Sequence, residues 1–107
     1  MEFNHFLTSY MPDLSIGSKI HFQNMIDQAI LAEKLGYSTV SIPEHHLINL
    51  LMMPSPLQMA VKISTLTKNI KISTGVAVLP LHDMRTYAGE VATADILTNG
   101  RLILGVG

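Results

Sequence analysis

The 107-residue sequence contains no cysteine, which excludes disulfides, thiolate metal sites and cysteine nucleophiles and makes a reducing cytoplasm the compatible setting. It also has no surplus of positive charge: seven Lys plus Arg stand against eight Asp plus Glu, for a formal charge of −1. Nucleic acid and anionic membranes reward clustered positive charge, and here the basic residues are scattered singly, so neither is an expected partner. Long apolar runs are missing as well. The opening "MEFNHFLTSYMPD" has no basic n-region and no long apolar h-region, and no run approaches the roughly 20 residues of a membrane span. Charged residues make up only 14% of the chain and hydrophobic ones 48%, a composition with ample material for a core.

What is present alternates in period. Residues 2–8, "EFNHFLT", alternate apolar and polar side chains and run into Pro12, Asp13, Ser15 and Gly17, which predicts a first strand and its loop. From Lys19 the spacing changes: Phe22, Met25, Ile26, Ala29, Ala32 and Leu35 recur at steps of three and four, one face of a helix that Gly36 stops. "YSTVSI", residues 37–42, reads as a second strand closed by Pro43. Pro56 opens a second helix with Leu57, Ala60, Ile63 and Leu66 inward, and "NIKISTGVAVLP" is a third strand. "MRTYAGEVATADIL" is a third helix with Ala88, Val91, Ala92 and Leu97 as its inner face, and "RLILGVG" a fourth strand. The order β-α-β-α-β-α-β, with short apolar strands, predicts an α/β fold with a parallel sheet covered by helices on both faces. On pattern alone a barrel and an open doubly wound sheet both remain. A (β/α)8 barrel takes about 250 residues, so three units and a strand amount to its N-terminal half, and residues 1–107 read as a half-barrel domain cut from a longer chain.

Ligands of α/β folds gather at the carboxyl ends of the strands. There the sequence places Leu7 and Thr8, then Glu44, His45 and His46, then Gly75, Val76 and Ala77, then Gly105, Val106 and Gly107. The polar content is concentrated after the second strand, in "SIPEHHLINLL". A histidine there can act as general acid or base, and Glu44 could orient a neighbouring imidazole; the alternative is a histidine that only bonds the turn. Adjacent histidines point to opposite sides of an extended segment, which disfavours a metal held by both, and no metal is expected. His5 is expected to be packed or at the rim, His21 on a helix surface, and His82 at the edge of the same mouth. The glycines leave room for a flat ligand or for another backbone. The apolar run "LINLLMM", 47–53, is either a helical turn on the rim or a wall for an apolar substrate.

Together "FNHFLTSYMP", "IPEHH", "TGVAVLPLHD" and "EVATADILTNGRLILGVG" resemble, in order and spacing, the luciferase-like flavin-dependent monooxygenase family. The resemblance implies a (β/α)8 barrel that binds reduced FMN, or in one branch the deazaflavin F420, at the strand ends. It also implies oxidation of a small organic substrate by O2, with reduced flavin supplied by an NAD(P)H-flavin reductase, in a protein dimeric at full length. His45 matches the catalytic histidine, with Glu44 and His46 as its supporting residues. Gly75, Val76 and Ala77, with Gly105 and Val106, match the cofactor platform, and a cis bond is implied between Gly75 and Val76. A deazaflavin-dependent oxidoreductase, a non-catalytic flavin-binding relative and an inactive fragment are the competing expectations. Two departures stand out: Met84 and "AGE" at 88–90 alter the start of the third helix, and Val106 stands where light-emitting members carry a cysteine, so light emission is not implied.

Overall fold

The computed structural model describes residues 1–107. Four strands, β1 (Asn4–Phe6), β2 (Thr39–Ile42), β3 (Lys71–Thr74) and β4 (Leu102–Ile103), alternate with three helices, α1 (Gly17–Lys34), α2 (Pro56–Ser64) and α3 (Met84–Leu97). The strands form one parallel sheet in chain order, with Phe6, Ser41, Ser73 and Ile103 in one cross-strand row. Sequential parallel neighbours joined by helical crossovers are the first half of a (β/α)8 barrel, not an open sheet whose strand order reverses. No helix is long and apolar enough to cross a membrane.

The helices cover one face of the sheet. Leu7, Val40, Ile42 and Ile72 from that face join Met25, Ile26, Ala29 and Ala32 of α1 and Met59, Ala60 and Ile63 of α2 in a single buried cluster. The opposite face is only partly covered: Phe6 is 53% and Ile103 42% exposed. The expectation of strands buried on both faces is therefore corrected, because every helix of this chain packs on the same side. That uncovered face is not apolar throughout. Asn4 Nδ2 donates to Ser41 Oγ at 2.7 Å, and Ser41 and Ser73 hydroxyls meet at 2.5 Å.

Several sequence readings shift by a turn. Strand edges are shorter than the apolar runs, since β1 and β2 hold three and four residues. Leu35 and Leu66 are exposed because they lie just past the ends of α1 and α2. On α3 the inner residues are Tyr87, Val91 and Ala94, whereas Ala88, Ala92 and Leu97 face outward. Three helical faces with similar small residues cannot be told apart by spacing alone. His21 is buried and not on the surface, with its Nε2 lacking a partner. Residues 47–53 form no helix: Met11 N–H donates to Leu50 O at 2.8 Å and Met52 N–H to Ser9 O at 3.0 Å, so the run is an irregular arm, with one turn closed by Leu51 N–H to Ile48 O at 3.1 Å, clipped to the loop after β1.

Two charged side chains fasten the end of the barrel remote from the strands' carboxyl ends. Arg101 donates to the carbonyls of Ser64, Thr67, Ile70 and Thr98, capping the last turn of α2 with positive charge. Glu33 of α1 accepts the backbone N–H groups of Lys68, Asn69 and Ile70. Burial pushes the Glu33 carboxyl up, but the donors Asn69, Ile70 and Lys68 and the charge of Arg101 outweigh it and hold it below its ordinary 4.5. A depressed carboxylate stabilises the fold above its unfolded pKa, and that contribution is lost as pH falls through the folded one. Urea unfolding midpoints are thus expected to decline below about pH 4.5, and Glu33→Gln is expected to remove part of that decline. An acid limb of unchanged steepness in the variant would contradict the role.

Candidate functional site

Pro43 ends β2, and the chain then runs extended far enough for His45 N–H to donate to Met53 O at 2.8 Å, which pins both ends of the 46–52 excursion. In extended backbone, residues two apart share a side. Glu44 and His46 do so, with His46 Nε2 2.7 Å from Glu44 Oε1. His45 consequently points away from both, half-buried, and its ring makes no hydrogen bond within the chain. Glu44 bonds the imidazoles of His46 and His82, and no hydrogen bond joins its side chain to that of its direct neighbour His45.

His82, expected at the edge of the mouth, joins the same cluster from 38 positions along the chain. Its Nε2 lies 2.7 Å from the same Glu44 Oε1, while Glu44 Oε2 accepts Val78 N–H at 2.9 Å. The ring of His82 stacks on Tyr87 of α3 with centroids 4.0 Å apart. An ionised carboxylate only accepts, so both imidazoles carry a proton on Nε2. The Glu44 side chain is fully buried. Burial pushes its carboxyl up, and hydrogen bonds from His46, Val78 and His82 outweigh that and hold it below the usual range. Tyr87 is pushed up by its burial and by the negative charges of Glu44 and Glu90. The polar side chains meet each other directly, and no group of three or more is arranged to hold a metal ion.

Beside this cluster lie the ends of β3 and β4. Gly75 N–H donates to Ile42 O at 2.7 Å, Ala77 N–H to Gly105 O at 2.8 Å, and Gly107 N–H to Ala77 O at 3.0 Å. The N–H groups of Val76 and Val106 donate to nothing within the chain, and these residues are 43% and 49% exposed. The Gly75–Val76 peptide is cis, as the resemblance implies. The glycines differ in purpose. A Cβ on Gly105 would lie 2.3 Å from Thr74 O, so Gly105 permits two backbones to approach; a Cβ on Gly75 would meet Ser41 Cβ at 3.3 Å and the Phe6 ring at 3.6 Å. Ala77 is fully buried and ties the strand ends together. Val76, Val106 and Phe6 remain as an open, largely apolar surface, with the Val76 N–H unused beside it and the Val106 N–H turned to the free edge of β4. A flat heteroaromatic ring fits those features, which combine apolar contact with a backbone donor for a ring oxygen or nitrogen. No lysine or arginine stands among these residues, so they suit a ring and not its phosphate.

The family model for luciferase-like monooxygenases matches residues 1–107. Across its whole length the chain is 40% identical to an uncharacterized protein, y4vJ, of Sinorhizobium fredii, covering 30% of that protein. It is 32% identical over 79% of its length to the oxygenase component of a flavin-dependent trigonelline monooxygenase of Acinetobacter baylyi, covering 24% of it. Among solved structures it superposes with a TM-score of 0.92, at 25% identity, on the oxygenating constituent of 3,6-diketocamphane monooxygenase of Pseudomonas putida in complex with FMN. All of this chain and 29% of that one are covered. The chain therefore spans less than a third of the length of these relatives. With a parallel half-barrel, a histidine turn after β2 and a match over every residue, the chain belongs to the luciferase-like monooxygenase family.

Proposed function

We propose that residues 1–107 are the N-terminal half-barrel of a flavin-dependent monooxygenase, and that Gly75, Val76 and Val106 carry one face of the flavin ring with Ala77 and Gly105 holding that platform together. The observation that carries the reading is the exposed, largely apolar surface of Val76 and Val106 at the ends of β3 and β4, with the Val76 N–H bonded to nothing within the chain. Reduced flavin supplies the electrons for O2 activation, so that one oxygen atom enters a small organic substrate and the other leaves as water. His45, whose ring is free of partners, takes or gives a proton at the substrate, and Glu44 and His46 shape the turn that presents it. The relative named as an oxygenase component supports a separate reductase as the source of reduced flavin. A phosphate anchor belongs to residues beyond this segment.

The experiment is an anaerobic titration of the intact protein with reduced FMN and, in parallel, with reduced deazaflavin. Saturable binding of FMN, with O2-dependent product from an organic substrate, is the expected result. Preference for deazaflavin without O2 consumption would move the assignment to hydride transfer, and binding without turnover to a non-catalytic relative.

A further inference from the structure

Segment 75–78 is held from three directions. β2 takes the Gly75 N–H through Ile42 O, β4 takes the Ala77 N–H through Gly105 O, and Glu44 takes the Val78 N–H through Oε2. The first two are bonds between strands. The third comes from a side chain two residues past β2, and the other oxygen of the same carboxylate holds His46 and His82 at 2.7 Å each. Glu44 thus joins the histidine turn, the end of β3 and the entry to α3 through one buried group.

We propose that Glu44 is a positioning residue that locks the Val76 platform to the His45 turn, keeping the cofactor surface and the acid–base residue in register. The proposal rests on the flavin reading above. An acceptor is needed at both carboxylate oxygens, since a backbone N–H lies on one side and two imidazole N–H groups on the other. Glutamine has the same shape and can keep its oxygen on Val78. Its amide N–H groups then face the two rings, which must move their protons from Nε2 to Nδ1 to accept them. Alanine offers Val78 nothing.

The test compares Glu44→Ala, Glu44→Gln and the unsubstituted intact protein. Glu44→Ala is expected to weaken reduced FMN binding by about tenfold or more, the scale of a lost hydrogen bond to a charged acceptor, and to speed hydrogen exchange at the Val78 amide. Glu44→Gln is expected to restore most of the affinity, while the Nε2 nitrogen resonances of His46 and His82 move from the protonated to the unprotonated position. Unchanged affinity in Glu44→Ala, or unchanged histidine resonances in Glu44→Gln, would overturn the proposal. If Glu44→Ala does not fold, the unsubstituted protein decides: adding FMN must slow exchange at Val78 and shift the two rings, and an indifferent response overturns the coupling. A protein that bound no reduced FMN at all would overturn the flavin reading. Val78 exchange would then judge the lock by itself, fast in Glu44→Ala if it exists and unchanged if it does not.

Discussion

Gly105→Ala is expected to destabilise the intact protein by about 3 kcal/mol, the sum of overpacking and of hydrogen bonds pulled apart. The new methyl carbon would stand 2.3 Å from Thr74 O, backbone against backbone, with no flexible side chain to yield. Relief requires β4 to move away from β3. That motion strains three bonds at once: Gly105 N–H to Thr74 Oγ1 at 2.9 Å, Thr74 Oγ1 to Gly105 O at 2.7 Å and Ala77 N–H to Gly105 O at 2.8 Å. The platform would be lost with them, so flavin affinity should fall along with the melting temperature. Gly89 is the control. It lies inside α3, where a Cβ would meet nothing within 4 Å beyond its chain neighbours and the helix's own backbone, and Gly89→Ala is expected to stabilise by about 0.5–1 kcal/mol. Equal melting temperatures for the two variants would contradict the close approach of β3 and β4.

His45→Ala is expected to lower turnover by about 10²–10⁴-fold, the usual contribution of a placed general acid or base, and to leave reduced flavin affinity close to its unsubstituted value. The split follows from the geometry. His45 makes its only hydrogen bond through its backbone, to Met53 O, and an alanine retains that bond. Its ring has no partner whose loss would disturb Glu44, Val78 or the platform. The assay compares product formation, on whichever aldehyde, ketone or sulfonate supports the highest turnover, with anaerobic flavin binding. Full turnover in His45→Ala would transfer the proton chemistry elsewhere, and a parallel loss of binding and rate would make His45 a structural residue.

Much of the scaffold was legible because it rests on local rules. The limits of α3 follow from Asp83, whose carboxylate accepts Arg85 N–H at 3.0 Å as an N-cap, and from Asn99 and Gly100, whose positive φ values end it. The placing of "PEHH" just after β2 follows from Pro43. What spacing could not show were pairings across the chain. His82 reaches Glu44 from 38 positions away, and no periodicity links the two. The partition of the turn itself was accessible: residues two apart share a side of an extended segment, which already separates Glu44 and His46 from His45. Burial of His21 was accessible from the spacing, since it stands four residues before Met25 and eight before Ala29 on the inner face of α1. The arm 47–53 misled because its apolar residues serve no regular element. Leu47 is fully exposed with φ +58°, and Met53 is buried.

The place where reduced FMN touches the chain tests the platform most directly. In an amide-resolved NMR titration of the intact protein under anaerobic conditions, Val76 and Val106 are expected to show the largest shifts, with newly slowed exchange at Val76, whose N–H has no acceptor within the chain. Shifts centred instead on the roughly 860 Å³ groove between α2 and α3, lined by Gln58, Val61, Tyr87 and Glu90, with Val76 and Val106 unmoved, would contradict the assignment of the platform.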